Sequence, residues 1–227
     1  MNERIKNIVF DLGGVLVGLD GQRSIAEFDA LGCERVSEYI REHRTEDLFY
    51  RIELGLITTH EFCEEVRQMT ATSASDEEMV GAWNALICPV TARRREALWS
   101  LRESGYRLFL LSNTNDMHWQ LCSGMFNKLG VLSVASLCES VPACRARSDE
   151  LPFEQVFLSY EMHLSKPDVE IFREVLRQAD LKAEETLFID DNEDNIRSAS
   201  SLGFRTYWNR KIDDWMEFVV RELGVRN

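Results

Sequence analysis

The sequence predicts an α/β fold: a Rossmann-like, three-layer core built on a mainly parallel sheet, with an all-helical unit inserted after the first strand. Three observations lead there. Short apolar runs alternate with helical stretches along most of the chain. Polar residues cluster just beyond several of those runs, where open parallel sheets bind ligands. One long block, residues 18–89, carries helix signals and no β-branched run to interrupt them. The expected organisation is a core of residues 1–17 and 90–227 with a helical cap of residues 18–89.

Taken in order, the first strand is Asn7 to Asp11. Helices follow over Ile25–Leu31, Val36–Glu42, Asp47–Glu53, His60–Met69 and Glu77–Leu86. Thr58 or Thr59 is placed to cap the fourth of these, and Ser75 or Asp76 the fifth. Pro89 breaks the chain. A helix over Ala92–Glu103 then stops at Gly105, and Tyr106–Leu111 reads as the second buried strand. Met117–Phe126 reads as helix, Val156–Ser159 as strand, and Val169–Ala179 as a helix with Pro167 at its first position. Thr186–Asp190, Ile196–Leu202, Phe204–Trp208 and Trp215–Leu223 complete the alternation. Residues 137–152 are polar and read as a long excursion.

Bulk properties narrow the classes. The net charge is −13, which disfavours nucleic acid and anionic membrane surfaces as partners. No apolar run reaches the length of a membrane span, and the N-terminal stretch is not a secretory signal. The six cysteines form no C-x-x-C pair and are expected as reduced thiols in a cytoplasmic protein. Cys138 and Cys144 alone share a polar segment in which a disulfide is conceivable.

The residues at the strand ends carry the chemistry. After the first strand come Asp11, Leu12, Gly13 and Gly14; after the second, Ser112, Asn113, Thr114 and Asn115. Lys166 precedes a helix, and Asp190, Asp191 and Asn192 follow the fourth strand, with Asp194 and Asn195 close behind. This set suits phosphoryl transfer. A carboxylate can attack phosphorus to give a mixed anhydride that water hydrolyses. Mg²⁺ can offset the charge of carboxylate and phosphate, with Asp190 and Asp191 supplying oxygens. Lys166 can neutralise both anions, Ser112 and the Asn113 N–H can hold phosphate oxygens, and Gly13 and Gly14 permit a tight turn beside metal or phosphate.

Those ordered segments, F-D-L-G-G-V-L, L-L-S-N-T-N, S-K-P-D and F-I-D-D-N-E-D-N, resemble the four motifs of the haloacid dehalogenase-like (HAD) hydrolases, in the branch with a helical cap after the first motif. The resemblance spans residues 5 to about 208. It implies an aspartyl-phosphate on Asp11, phosphate binding by Ser112 and Asn113, charge balance by Lys166, and Mg²⁺ held by Asp11, Asp190, Asp191 and the Gly13 carbonyl. It implies a phosphatase of a small phosphorylated metabolite, with sugar phosphates preferred by analogy. One position departs: most phosphatases of this kind carry a second Asp two residues after the nucleophile, as general acid/base, and here that residue is Gly13. The departure predicts faster turnover of sugar 1-phosphates, acyl or aryl phosphates than of primary alkyl phosphates.

Alternatives are a 2-haloacid dehalogenase, a phosphomutase, or a binding protein that keeps the fold without catalysis. The paired Asp190 and Asp191 argue against a metal-free dehalogenase site. Of the remaining residues, His118 either faces the site or has a helix-capping or surface role. Tyr160, Glu161 and His163 are candidates to line a substrate pocket. The five tryptophans read as packing residues, and Arg93-Arg94-Arg95 as a solvated helix face.

Overall fold

A computed structural model describes residues 4–41, 48–128 and 151–224. Its centre is a five-stranded sheet in the order β5-β4-β1-β6-β7, every pairing parallel. The strands are β1 (Asn7–Phe10), β4 (Arg107–Ser112), β5 (Gln155–Leu158), β6 (Thr186–Asp190) and β7 (Arg205–Trp208). A parallel sheet covered on both faces demands near-continuous apolar strands, and β1, β4 and β6 are buried along almost their whole length. Successive side chains alternate between the faces. Ile8, Phe10, Leu108, Leu110, Leu187 and Ile189 pack with α6 (Ala92–Glu103), α7 (Asp116–Ser123) and α11 (Asp214–Leu223). Val9, Phe109, Leu111 and Phe188 pack with α9 (Val169–Gln178) and α10 (Glu193–Ser201) on the other face.

Between β1 and β4 the chain forms α1 (Gly21–Ala30), α2 (Glu34–Arg41), α3 (Leu48–Glu53), α4 (Thr59–Thr70) and α5 (Asp76–Asn84). Thr58 and Ser75 cap α4 and α5 through reciprocal bonds with Glu61 and Glu78. These helices gather around their own buried cluster of Phe28, Val36, Phe49, Phe62, Val66, Met79 and Trp83. Met117 of α7 joins that cluster from the core. The segment enters and leaves through two residues of antiparallel pairing, β2 (Gly18–Leu19) with β3 (Ile87–Cys88). So short a pair has no sequence periodicity to announce it. A Cβ on Gly18 would sit 3.1 Å from the Cys88 Cβ, so the two crossings are pressed together.

Several expectations need correction. Pro167 is not the first residue of its helix: Asp168 is the N-cap and Val169 begins α9, leaving Pro167 before the cap, after a cis peptide bond from Lys166. Arg94 is not solvated. It is 7% exposed, its Nε donates to Asp213 at 2.7 Å, and it lies on the side of α6 that meets the sheet. One more element, α8 (Ser159–Met162), follows β5 directly. Cys138, Cys144 and most of the polar excursion lie outside the described residues, whereas Leu151 and Pro152 are buried. Cys33, Cys63, Cys88 and Cys122 are free thiols. No helix among the described residues is long and apolar enough to cross a membrane.

Candidate active site

Register decides which residues meet. Phe10 stands level with Leu110 and Ile189 on its two neighbours, so the next step along the chain brings Asp11 beside Asp190 and Leu111 at the carboxyl edge of the sheet. The Asp11 N–H donates to the Ile189 carbonyl at 2.9 Å and extends that edge by one residue. The chain then turns sharply. Leu16 and Val17 donate back to the Leu12 carbonyl, and Gly14 donates to Val17. Gly14 has φ +67°, and a Cβ there would lie 2.0 Å from Asp191 Oδ2. Glycine is required on both counts. Gly13 is less constrained, since a Cβ would meet only the Leu19 side chain, at 3.1 Å.

Lys166 lies at the centre of the charge cluster. Its ammonium donates to Asp11 Oδ1 and to Asp190 Oδ2, each at 2.7 Å, and all three residues are at most 8% exposed. Burial disfavours the ammonium, but Asp11 and Asp190 outweigh it and hold the amine above its ordinary pKa. Burial pushes the Asp11 carboxyl upward; Lys166 opposes that shift, and Asp190 and Asp191 reinforce it. Asp191 is raised for the same reasons, burial first and Asp190 second.

The supporting contacts explain why the cluster holds. Asp190 also accepts from Asn195 Nδ2 at 3.0 and 3.1 Å and from the Asn192 N–H at 2.8 Å, so both its oxygens are committed. Asp191 is exposed, its carboxylate beside Gly14, while its carbonyl accepts from Trp208 Nε1 at 2.9 Å. Asp194 points outward to Arg197. The Asn113 amide clamps the backbone of Lys166 from both sides, each bond 2.8 Å, which sets where the ammonium emerges. Ser112 is buried at the end of β4, its hydroxyl turned to the Asn113 carbonyl at 3.3 Å.

Asp11, Asp190 and Asp191 offer oxygens that all lie within 4.8 Å of one another. Three carboxylates against one ammonium form an acidic excess that a small oxygen-seeking divalent cation would offset. The Gly14 backbone leaves the Asp191 oxygen unobstructed toward that point. The donor set fits Mg²⁺.

Sequence reasoning missed Asn209. It is fully buried; its N–H donates to the Asp190 carbonyl at 2.8 Å and its side chain to the Gly14 carbonyl at 3.1 Å, so one residue ties the two halves of the carboxylate cluster together. The rule that singled out polar residues after the other strands, applied after β7, would have found it. His118 does not face the site. Its ring stacks on Trp83 at 5.0 Å, donates to the Trp83 carbonyl at 3.2 Å and accepts from Asn115, which seals α7 to α5. Burial pushes its pKa down to about 4. The Tyr160–His163 turn meets the α3–α4 loop: His163 Nδ1 donates to the Leu54 carbonyl at 2.8 Å.

A family model of haloacid dehalogenase-like hydrolases matches residues 5–203, and the chain belongs to that family. It is 30% identical over 215 residues to D-ribitol-5-phosphate phosphatase of Bacteroides thetaiotaomicron, covering 94% of this chain and 96% of that protein. Among solved structures it is similar to an HAD family enzyme of the same organism in complex with magnesium and inorganic phosphate: 37% identity, TM-score 0.74, with 89% of this chain and 93% of that one covered. It is also similar to an HAD-like family hydrolase from Porphyromonas gingivalis, with 32% identity, TM-score 0.81, and 99% and 100% coverage.

Proposed function

We propose that the chain is a Mg²⁺-dependent phosphohydrolase that takes the phosphoryl group of a small phosphorylated metabolite onto Asp11. The observation that carries this reading is the buried contact of Lys166 with both Asp11 and Asp190 beside the open oxygen of Asp191. A site for uncharged chemistry would not concentrate three carboxylates around one ammonium.

Asp11 Oδ attacks phosphorus, and the bond to the leaving oxygen breaks. Lys166 holds the carboxylate in its attacking orientation and balances the arriving phosphate. Ser112, at the end of β4, offers its hydroxyl to a phosphate oxygen once the hydroxyl turns from the Asn113 carbonyl, and the Asn113 N–H offers a second donor. Water then cleaves the aspartyl-phosphate and returns Asp11. Mg²⁺ held by Asp11, Asp191, Asp190 and the Gly13 carbonyl would supply positive charge to the transferring group. Residues 18–89 serve as a cap over the strand ends, excluding water and reading the leaving group.

The relative that hydrolyses D-ribitol 5-phosphate acts on a primary alkyl phosphate, and we infer a polyol or sugar phosphate as substrate here. That choice runs against the preference expected from Gly13, because an alkoxide departs poorly without a proton and the turn after β1 supplies none. The test is a panel of polyol, sugar 1- and sugar 6-phosphates, assayed with Mg²⁺ and with EDTA, on the wild type and on Asp11→Asn. Turnover is expected with Mg²⁺ only and is abolished in Asp11→Asn. Undiminished turnover in EDTA, or by Asp11→Asn, would overturn the reading.

A further inference from the structure

The turn after β1 lacks an acid at Gly13, so a primary alkyl phosphate needs its proton from elsewhere. Two of the groups nearest by sequence are engaged elsewhere. His118 is locked against Trp83, and the Tyr160 hydroxyl is turned to Glu161 at 3.4 Å. Glu53, the last residue of α3, is placed differently. Its carbonyl accepts from the Ser159 hydroxyl at 2.6 Å, and that hydroxyl oxygen in turn accepts from the Thr114 N–H at 2.9 Å. Thr114 adjoins Asn113, which grips Lys166. Glu53 therefore stands one hydrogen-bonded step from the loop that carries the phosphate-side groups.

The two residues that follow it are pinned to the core as well. The Leu54 carbonyl takes the His163 bond, and Gly55 has φ +64° with a Cβ position only 2.1 Å from the Tyr160 carbonyl oxygen. The Glu53 backbone is thus held against the turn that follows β5, at the carboxyl end of that strand. Its carboxyl has no hydrogen bond or ion pair among the described residues, although the residue is partly buried. Such a group is costly as an anion and available as an acid.

We propose that Glu53 donates the proton to the departing oxygen, supplying from the helical insertion what Gly13 cannot supply from the turn. This rests on the phosphohydrolase reading above. As the Asp11–phosphorus bond forms and the ester P–O bond breaks, the Glu53 proton moves to the ester oxygen, and the product leaves as a neutral alcohol. Glu53, now a carboxylate, takes a proton from the water that attacks the aspartyl-phosphate. Inorganic phosphate leaves, and Asp11 and Glu53 are both restored. Burial alone pushes the Glu53 carboxyl up to about 7, which suits a group that must give and regain a proton near neutrality.

The test compares two substrates within each variant, so that loss of folded protein cancels: ribitol 5-phosphate, which needs a proton, and p-nitrophenyl phosphate, whose phenolate leaves without one. Glu53→Gln is expected to lower kcat for the alkyl ester by about 10²-fold or more, to change the aryl ester by less than about 10-fold, and to remove the alkaline limb of the alkyl pH profile. Glu53→Asp, which keeps an acid on a shorter arm, is expected to recover part of the alkyl activity lost in Glu53→Gln. Equal losses on both substrates, an unchanged alkyl rate, or an effect confined to KM would overturn the assignment. Asp11→Asn, inactive on both esters, would leave the phosphohydrolase reading standing whichever way Glu53 falls.

Discussion

The strand ends and the helical insertion proposed to cap them have opposite designs. At the strand ends, charge is dense and fixed: Lys166 binds Asp11 and Asp190, Asn195 and Asn192 hold Asp190, and Asn209 braces both sides. The insertion brings a half-exposed leucine, Leu19, against Gly13, and a partly buried carboxyl, Glu53, with no hydrogen bond or ion pair among the described residues. The difference teaches a division of labour. Bond-breaking electrostatics require groups that do not reorganise, whereas a surface that, as proposed, reads and protonates different leaving groups would gain from being uncommitted.

Breaking the charged side should have the largest effect. Lys166→Met leaves Asp11 and Asp190 buried without a counter-charge, a loss of about 3–5 kcal/mol when one partner of a buried pair is removed. Activity should be abolished, and the variant's melting temperature should rise with Mg²⁺ far more than the wild type's. Equal Mg²⁺ responses in the two proteins would separate the ammonium from the cation site.

Gly14→Ala comes next. It puts a side chain on a left-handed backbone and drives Asp191 away from the cluster. A stability loss of about 1–2 kcal/mol is expected, with Mg²⁺ affinity reduced roughly 10–100-fold as for other disturbed ligand supports. Titrating activity against Mg²⁺ measures it, and an unchanged midpoint would remove Asp191 from the ligand set.

A third prediction concerns the seam between the regions. The folded state depresses the His118 pKa from 6.5 to about 4, so the stability it contributes is complete above pH 6.5 and is lost as pH falls toward 4. The full loss is on the order of 3 kcal/mol. Denaturant midpoints for the wild type and His118→Gln should therefore converge on acidification; parallel curves would show that the imidazole does not titrate with unfolding.

The smallest expected effect is on the uncommitted side. Gly13→Asp needs Leu19, which is half exposed, to give by only a few tenths of an ångström, so stability should change by less than about 1 kcal/mol. In a Glu53→Gln background the new carboxyl should restore part of the alkyl phosphate turnover. No recovery would indicate that position 13 does not reach the leaving oxygen.

How much of this was legible in the sequence follows from the same contrast. The strands were legible because a doubly covered sheet leaves no room for polar residues, and Asp11, Ser112, Lys166, Asp190 and Asp191 stood out as polar groups ending or adjoining those runs. Arg94 was misread because a run of three arginines on a helix looks solvated, and nothing local shows that the middle one meets Asp213, 119 residues away. Pro167 was misplaced by two residues because helix-start statistics cannot see that Asp168 takes the capping role. Glu53 carried no signal at all. A glutamate closing a short helix is ordinary, and only the tertiary contacts of its backbone, with burial of its carboxyl, set it apart.

Asn209 also imposes an order on assembly. It joins the Gly14 carbonyl across 195 positions of sequence, and Trp215 Nε1 reaches the Val15 carbonyl across 200. The turn that bears Asp11 is therefore synthesised long before the residues that brace it. While synthesis proceeds, Asp11 lacks the neighbours β4 and β6, its ammonium partner, and the asparagine that fixes its loop. Contacts of such long range form late and slowly. A nascent chain should therefore stay catalytically silent until residues 209–215 have emerged, even with the helices of the insertion already formed behind it.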